Sequence, residues 1–130
     1  MIGLLLVAHS HLAAELLKAA EMIVGPIPRA EALGVTPGDN GDTILAGITG
    51  ALRRLGGPGV IIMTDMFGGT PSNLSISFLE ENRVEVLSGV NLPMVMEFAL
   101  KRELLGVAGL AARLRECGRE SISVAGDFLK

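Results

Sequence analysis

Tryptophan and tyrosine are absent from the 130 residues, and cysteine occurs once, at Cys117. A single cysteine excludes an intrachain disulfide and fits a reducing compartment, so a cytoplasmic location is expected. The missing Trp and Tyr argue against a flavin site, whose ring is normally flanked by aromatics. No Lys/Arg run or basic stripe occurs, and 11 basic against 14 acidic residues leave a net charge of −3. That balance argues against nucleic acid as a partner. No stretch approaches the roughly 18 apolar residues of a membrane span. The opening "MIGLLLVAHSH" has no basic leader, and its apolar run, Leu4 to Ala8, is about five residues against the roughly 7–15 of a secretory signal. No G-x-x-x-x-G-K-[ST] is present, which excludes a classical P-loop nucleotide site. Histidine occurs only at His9 and His11. Zinc takes three or four ligands, so this H-x-H pair suggests no metal site, and no cofactor is expected.

What is present is an apolar chain, 49% hydrophobic with 17 Gly and 6 Pro. One domain over residues 1–130 is the expectation, long enough to bury a real core. Short apolar runs alternate with helical patterns. "IGLLLVA" (2–8) and "VIIMT" (60–64) read as central strands buried on both faces. "AEALGV" (30–35) and "RVEVLSG" (83–89) read as further strands, the first near an edge. Leu12, Leu16, Ala20 and Ile23 make one helical stripe over 11–24, with Ser10 as its candidate N-cap. Ile44, Ile48, Ala51 and Leu55 make a second, capped from "PGDNGD" (37–42). A third helix is expected after Thr70, a candidate N-cap, with Pro71 at its first position. Two more follow, over 91–104 and from 107 to 117, the second ending at Gly118. The tail "ESISVAG" (120–126) alternates like a strand. Strands alternating with helices predict an α/β fold, an open and mainly parallel sheet of order 2-1-3-4 with helices on both faces. The terminal strand would add as an antiparallel edge. Its short connection from the preceding helix leaves few ways back to its own sheet, and exchange between two copies would cover both edges.

In such sheets the ligand site lies at the carboxyl ends of the strands, where the order reverses. The two central strands end in "AHSH" (8–11) and "TDMFGG" (64–69). Asp is poor in strands, and Gly-Gly costs backbone entropy, so "TDMFGGTPSN" breaks local rules at the place where a site is expected. Asp65 can accept one imidazole N–H of His9, fix its tautomer and leave the other nitrogen as a nucleophile. The helix starts after His9 and after the "GGT" turn offer unpaired amides that favour anions, phosphate above all. Thr70 adds a hydroxyl. A nucleophilic imidazole, an orienting acid and an anion cradle suit a phosphohistidine.

At "LLLVAHSHLAAELLKAAEMIVG", "DMFGGTPSN" and "SGVNLPMVME" the chain resembles the IIA domains of the mannose-type phosphoenolpyruvate:sugar phosphotransferase system, over almost its whole length. The resemblance implies that His9 accepts a phosphoryl group from the histidine phosphocarrier protein and passes it to a IIB component. Asp65 matches the acid that orients the histidine, and Thr70 a Ser/Thr position at the phosphate, with Ser10, Gly68 and Gly69 as further phosphate-binding candidates. It also implies a homodimer with exchanged C-terminal strands, a separate IIB partner, and association with a membrane permease complex at its periphery. The related domain that serves dihydroxyacetone kinase resembles the first strand but usually lacks the "FGGTP" turn. His11 departs from the family pattern and reads as a first-turn surface residue.

Other readings of the same fold fit less well. A flavodoxin-like module would want a hydroxyl-rich loop after the first strand, and a receiver domain an acidic cluster there. A regulatory sensor of phosphorylation state, using the same His9 without feeding a transporter, is the principal alternative. Asn91 and Pro93 are expected to start a helix and shape the cleft rim. Most methionines read as core, with Met66 and Phe67 as a candidate docking patch. Cys117 reads as a packing residue.

Overall fold

The computed structural model describes residues 1–129. Four strands, β1 (Gly3–His9), β2 (Ala30–Val35), β3 (Val60–Thr64) and β4 (Val84–Ser88), form one parallel sheet in the order β2-β1-β3-β4. The helices are α1 (Leu12–Val24), α2 (Gly41–Leu55), α3 (Thr70–Ile76), α4 (Leu92–Lys101) and α5 (Val107–Glu120). The predicted strand order and the helical layers on both faces are therefore observed.

Period-two alternation in β1 divides the core. Leu4, Leu6 and Ala8 join Ile61 and Met63 of β3 under α1, α4 and α5. Leu5 and Val7 face the other way, with Val60, Ile62 and the stripe Ile44, Ile48, Ala51 and Leu55 of α2. Each fully buried Leu or Ile contributes about 1.5–3 kcal/mol relative to exposure. Both faces of the central strands are thus dry, which is why they read as continuous apolar runs rather than alternating ones. Asn40 caps α2 as expected, its Oδ1 accepting from the Thr43 amide at 2.8 Å. Asp42 in the first turn and Arg53 and Arg54 in the last complement the helix dipole.

Several boundaries depart from the sequence reading. Ser10 does not cap α1. It adopts a left-handed backbone (φ 56°), and His11 takes the cap position without a side-chain bond. Thr70 is the first residue of α3 rather than its cap, which is Gly69, so Pro71 comes second. The fourth helix stops at Lys101. Gly118 does not end α5. A Cβ there would come within 2.6 Å of the Met94 sulfur, so glycine serves the close approach of α5 to α4, and the helix runs on to Glu120.

The expected terminal strand over 120–126 is not formed within the chain. Glu120 closes α5, and Ala125–Leu129 form a 3-10 turn. A strand exists only with a pairing partner, and among the described residues no strand pairs with the segment. Lys130 lies outside the described residues.

Candidate functional site

The register sets the site. Leu4 pairs with Ile61 and Val7 with Thr64, so β1 and β3 end side by side. His9 is the last residue of β1, two past Val7, and Asp65 is the first residue past β3. The Asp65 Oδ2 accepts the backbone amide of His9 at 3.0 Å and lies 2.7 Å from its ring Nδ1. The other carboxylate oxygen accepts the Met66 amide at 3.1 Å. Burial pushes the Asp65 carboxyl up, but the amide, ring and charge of His9 together outweigh it and hold the group below the usual carboxylate range. An ionised carboxylate only accepts, so Nδ1 carries the proton and donates. On a neutral ring, Nε2 then keeps its lone pair. The side chains differ in access: His9 is 49% exposed and Asp65 only 13%. The acid is held inside while the ring faces outward.

The turn after Asp65 closes around the ring. Gly68 has φ 84°, a conformation that glycine adopts without strain. Gly69 has ordinary extended backbone, but a Cβ there would lie 3.2 Å from Cε1 of His9 and 3.8 Å from Nε2. The first glycine is required by conformation and the second by the ring beside it. Asn73 ties the turn, its amide donating to the Gly69 carbonyl at 2.9 Å and its Nδ2 to that of Gly68 at 3.3 Å. Thr70 stands exposed at the first position of α3. Neither α1 nor α3 has a capping side chain that takes its first amides. Those of Leu12, Ala13 and Ala14, and of Thr70 and Ser72, therefore have no acceptor within their helices.

A buried layer holds these pieces, and the sequence reading missed it. Thr64 donates to Ser88 Oγ at 2.8 Å, and Ser88 Oγ lies 3.0 Å from Ser72 Oγ. The ends of β3 and β4 are thereby joined to the first turn of α3, with Thr64 and Ser72 fully buried. The amides of Gly89 and Val90 add bonds to the Thr64 carbonyl, both at 3.0 Å. Isolated hydroxyls at strand ends carry no periodic signal, so only the fold reveals them. Asn91 caps α4 by accepting from Met94 and also donates Nδ2 to the Gly118 carbonyl at 3.0 Å, locking the rim to α5. Pro93 falls in the first turn of α4, as expected. His11 is exposed beside the site, and Met66 and Phe67 are exposed on the same turn. Cys117 is half-buried, and burial pushes its thiol up.

Known proteins share this architecture. Residues 3–114 match the family described as "PTS system fructose IIA component". The chain is 30% identical over 118 residues to the sorbose-specific EIIA component of Lacticaseibacillus casei, covering 90% of this chain and 86% of that one. It is 31% identical over 124 residues to the mannose-specific EIIAB component of Escherichia coli K12, covering 93% of this chain but only 38% of that longer protein. The crystal structure of the phosphotransferase system component EIIA from Streptococcus agalactiae superposes with a TM-score of 0.90 at 25% identity, over 98% of this chain and 99% of that one. On the strength of this match over most of its length, the chain belongs to the mannose-type IIA family of the phosphoenolpyruvate:sugar phosphotransferase system.

Proposed function

We propose that this IIA component is a phosphocarrier and that His9 is its phosphoryl acceptor. The observation that carries the reading is the His9–Asp65 pair, an inward acid on Nδ1 and an outward Nε2. In the forward step, the N–P bond of a phosphorylated histidine phosphocarrier protein breaks as a bond forms from His9 Nε2 to phosphorus. No proton needs to leave Nε2, because the Nδ1–H bond to Asp65 has already placed the proton elsewhere. The ring becomes cationic, and the adjacent carboxylate stabilises that charge. The amides of the 68–70 turn and the Thr70 and Ser10 hydroxyls surround the phosphoryl oxygens. The second step passes the group to a separate IIB component. Met66 and Phe67, exposed beside His9, form the docking surface for both partners. Residues 1–130 act as one cytoplasmic domain that associates with the membrane permease complex at its periphery.

The same reading includes a homodimer. Apart from the single Glu80–Val84 bridge, the outer edge of β4 has no strand beside it among the described residues, and a groove of about 700 Å³ runs along it between Leu79, Leu87, Ala108 and Ala112. Ile122 and Val124, which follow α5, are exposed apolar residues. Seating this segment from a second copy against β4 covers both.

The test is incubation with phosphoenolpyruvate, enzyme I and the histidine phosphocarrier protein. An acid-labile phosphate is expected on the wild type and on His11→Ala, and none on His9→Ala. Addition of a mannose-type IIB should discharge it. Labelling of His9→Ala to the wild-type level would refute the assignment.

A further inference from the structure

The turn that carries His9 rests on strand β2. Ser10 donates its amide to the Val35 carbonyl at 2.8 Å. Its left-handed backbone turns the carbonyl back over Gly34, the neighbour of Val35. A Cβ at position 34 would collide with that carbonyl oxygen and lie 3.5 Å from its carbon. Contacts below 3.0 Å essentially do not occur for real Cβ atoms. Gly34 pairs in register with Ala8 as ordinary strand and is not among the glycines of positive φ. Its backbone conformation therefore does not call for glycine, whereas the space above it does.

The obstructing atom belongs to the backbone, so no rotamer change relieves the contact. Relief requires the 9–11 segment to move. That segment is tied on both sides, by Ser10 to Val35 and by the amide and ring of His9 to Asp65. A displacement of the Ser10 carbonyl reaches His9 across a single peptide unit.

We propose that Gly34 is a positioning residue for His9, its missing side chain making room for the Ser10 carbonyl and so holding the imidazole on Asp65. The inference rests on the reading of His9 as acceptor and adds the edge strand to the parts that place it. Positions 10 and 34 act as a pair. A glycine at position 10 is at ease with positive φ and leaves its carbonyl free to turn away, so it should tolerate a side chain at position 34.

Four proteins test this: wild type, Gly34→Ala, Ser10→Gly and the double variant. Two readouts apply, the Nδ1–H signal of the His9 ring by nitrogen-edited NMR and the rate of phosphoryl labelling. In Gly34→Ala the Nδ1–H signal should weaken or shift, and labelling should slow by about tenfold or more. In the double variant both should return to within about threefold of Ser10→Gly alone, as coupling between touching residues requires. A Gly34→Ala protein with an unchanged ring signal and rate overturns the proposal. So does a double variant in which Gly34→Ala slows labelling and shifts the ring signal, relative to Ser10→Gly alone, by as much as it does in the wild type. If Gly34→Ala does not fold, recovery of folding in the double variant is the expected result, and its absence counts against the pairing. Failure of the acceptor reading is distinct, since wild type would then gain no phosphate at His9 while the ring signal still reports on position 34.

Discussion

Asp65 receives two hydrogen bonds from one residue on the same oxygen, the backbone amide of His9 at 3.0 Å and its ring Nδ1 at 2.7 Å. The amide fixes where β1 ends relative to β3, and the ring bond fixes which nitrogen is free. Asp65→Asn keeps an oxygen for the amide but removes the negative charge. Phosphoryl acceptance should fall by about tenfold or more, a loss of about 1.4 kcal/mol of transition-state stabilisation, with the fold intact by circular dichroism. A rate within a factor of about two would argue against the charge mattering.

The same pair fixes an acid limit. The Asp65 carboxyl titrates lower in the folded protein than in the unfolded chain, where a free Asp lies near 3.9. Its contribution to stability is therefore full above that value and is lost as pH falls through the lower folded one. Carbon chemical shifts should place its midpoint below about 3.9, and a midpoint at or above it would mean that burial wins.

Gly68 and Gly69 should separate stability from function. Gly68→Ala places a Cβ at φ 84° with nothing within 4 Å, so it should cost about 1–2 kcal/mol in urea unfolding. Gly69→Ala has no such strain but presses on the His9 ring at 3.2 Å. It should slow labelling by about tenfold while costing about 1 kcal/mol or less. Equal effects of the two on labelling would contradict this division.

The two central strands were legible because Leu4–Ala8 and Val60–Met63 are apolar on both faces, which only a covered parallel strand tolerates. Their shared direction then placed His9 beside Asp65. What was not legible depends on contacts between residues distant in sequence. The caps moved by one residue because Ser10 is left-handed and because Gly69, in extended backbone, accepts the Asn73 amide that closes the first turn of α3. Gly118 reads as a stop signal, yet it is a packing contact to Met94. The segment 120–126 alternates like a strand but pairs with no strand among the described residues.

Arg102 was equally silent in the sequence. It is buried, donates to the carbonyls of Ile2, Pro28 and Arg29, and lies 4.6 Å from the centre of the Phe98 ring. It fastens the start of β1 and the α1–β2 connection to the end of α4. Arg102→Met leaves those carbonyls unsatisfied and should cost about 3 kcal/mol in urea unfolding, with labelling of the folded protein unchanged. A loss below about 0.5 kcal/mol would mean that water replaces the guanidinium without cost.

The assembly proposed from the free edge of β4 is open to direct test. Sedimentation at tens of micromolar should give a dimer, and removal of residues 122–130 a less stable monomer. A full-length protein that stays monomeric would remove the exchange.

Phosphorus and nitrogen NMR of the phosphorylated protein tests the central assignment most directly. One phosphoryl group is expected, bonded to Nε2 of His9, with Nδ1 still protonated toward Asp65. A phosphoryl group on Nδ1, on His11 or on no histidine would contradict the role assigned to the His9–Asp65 pair.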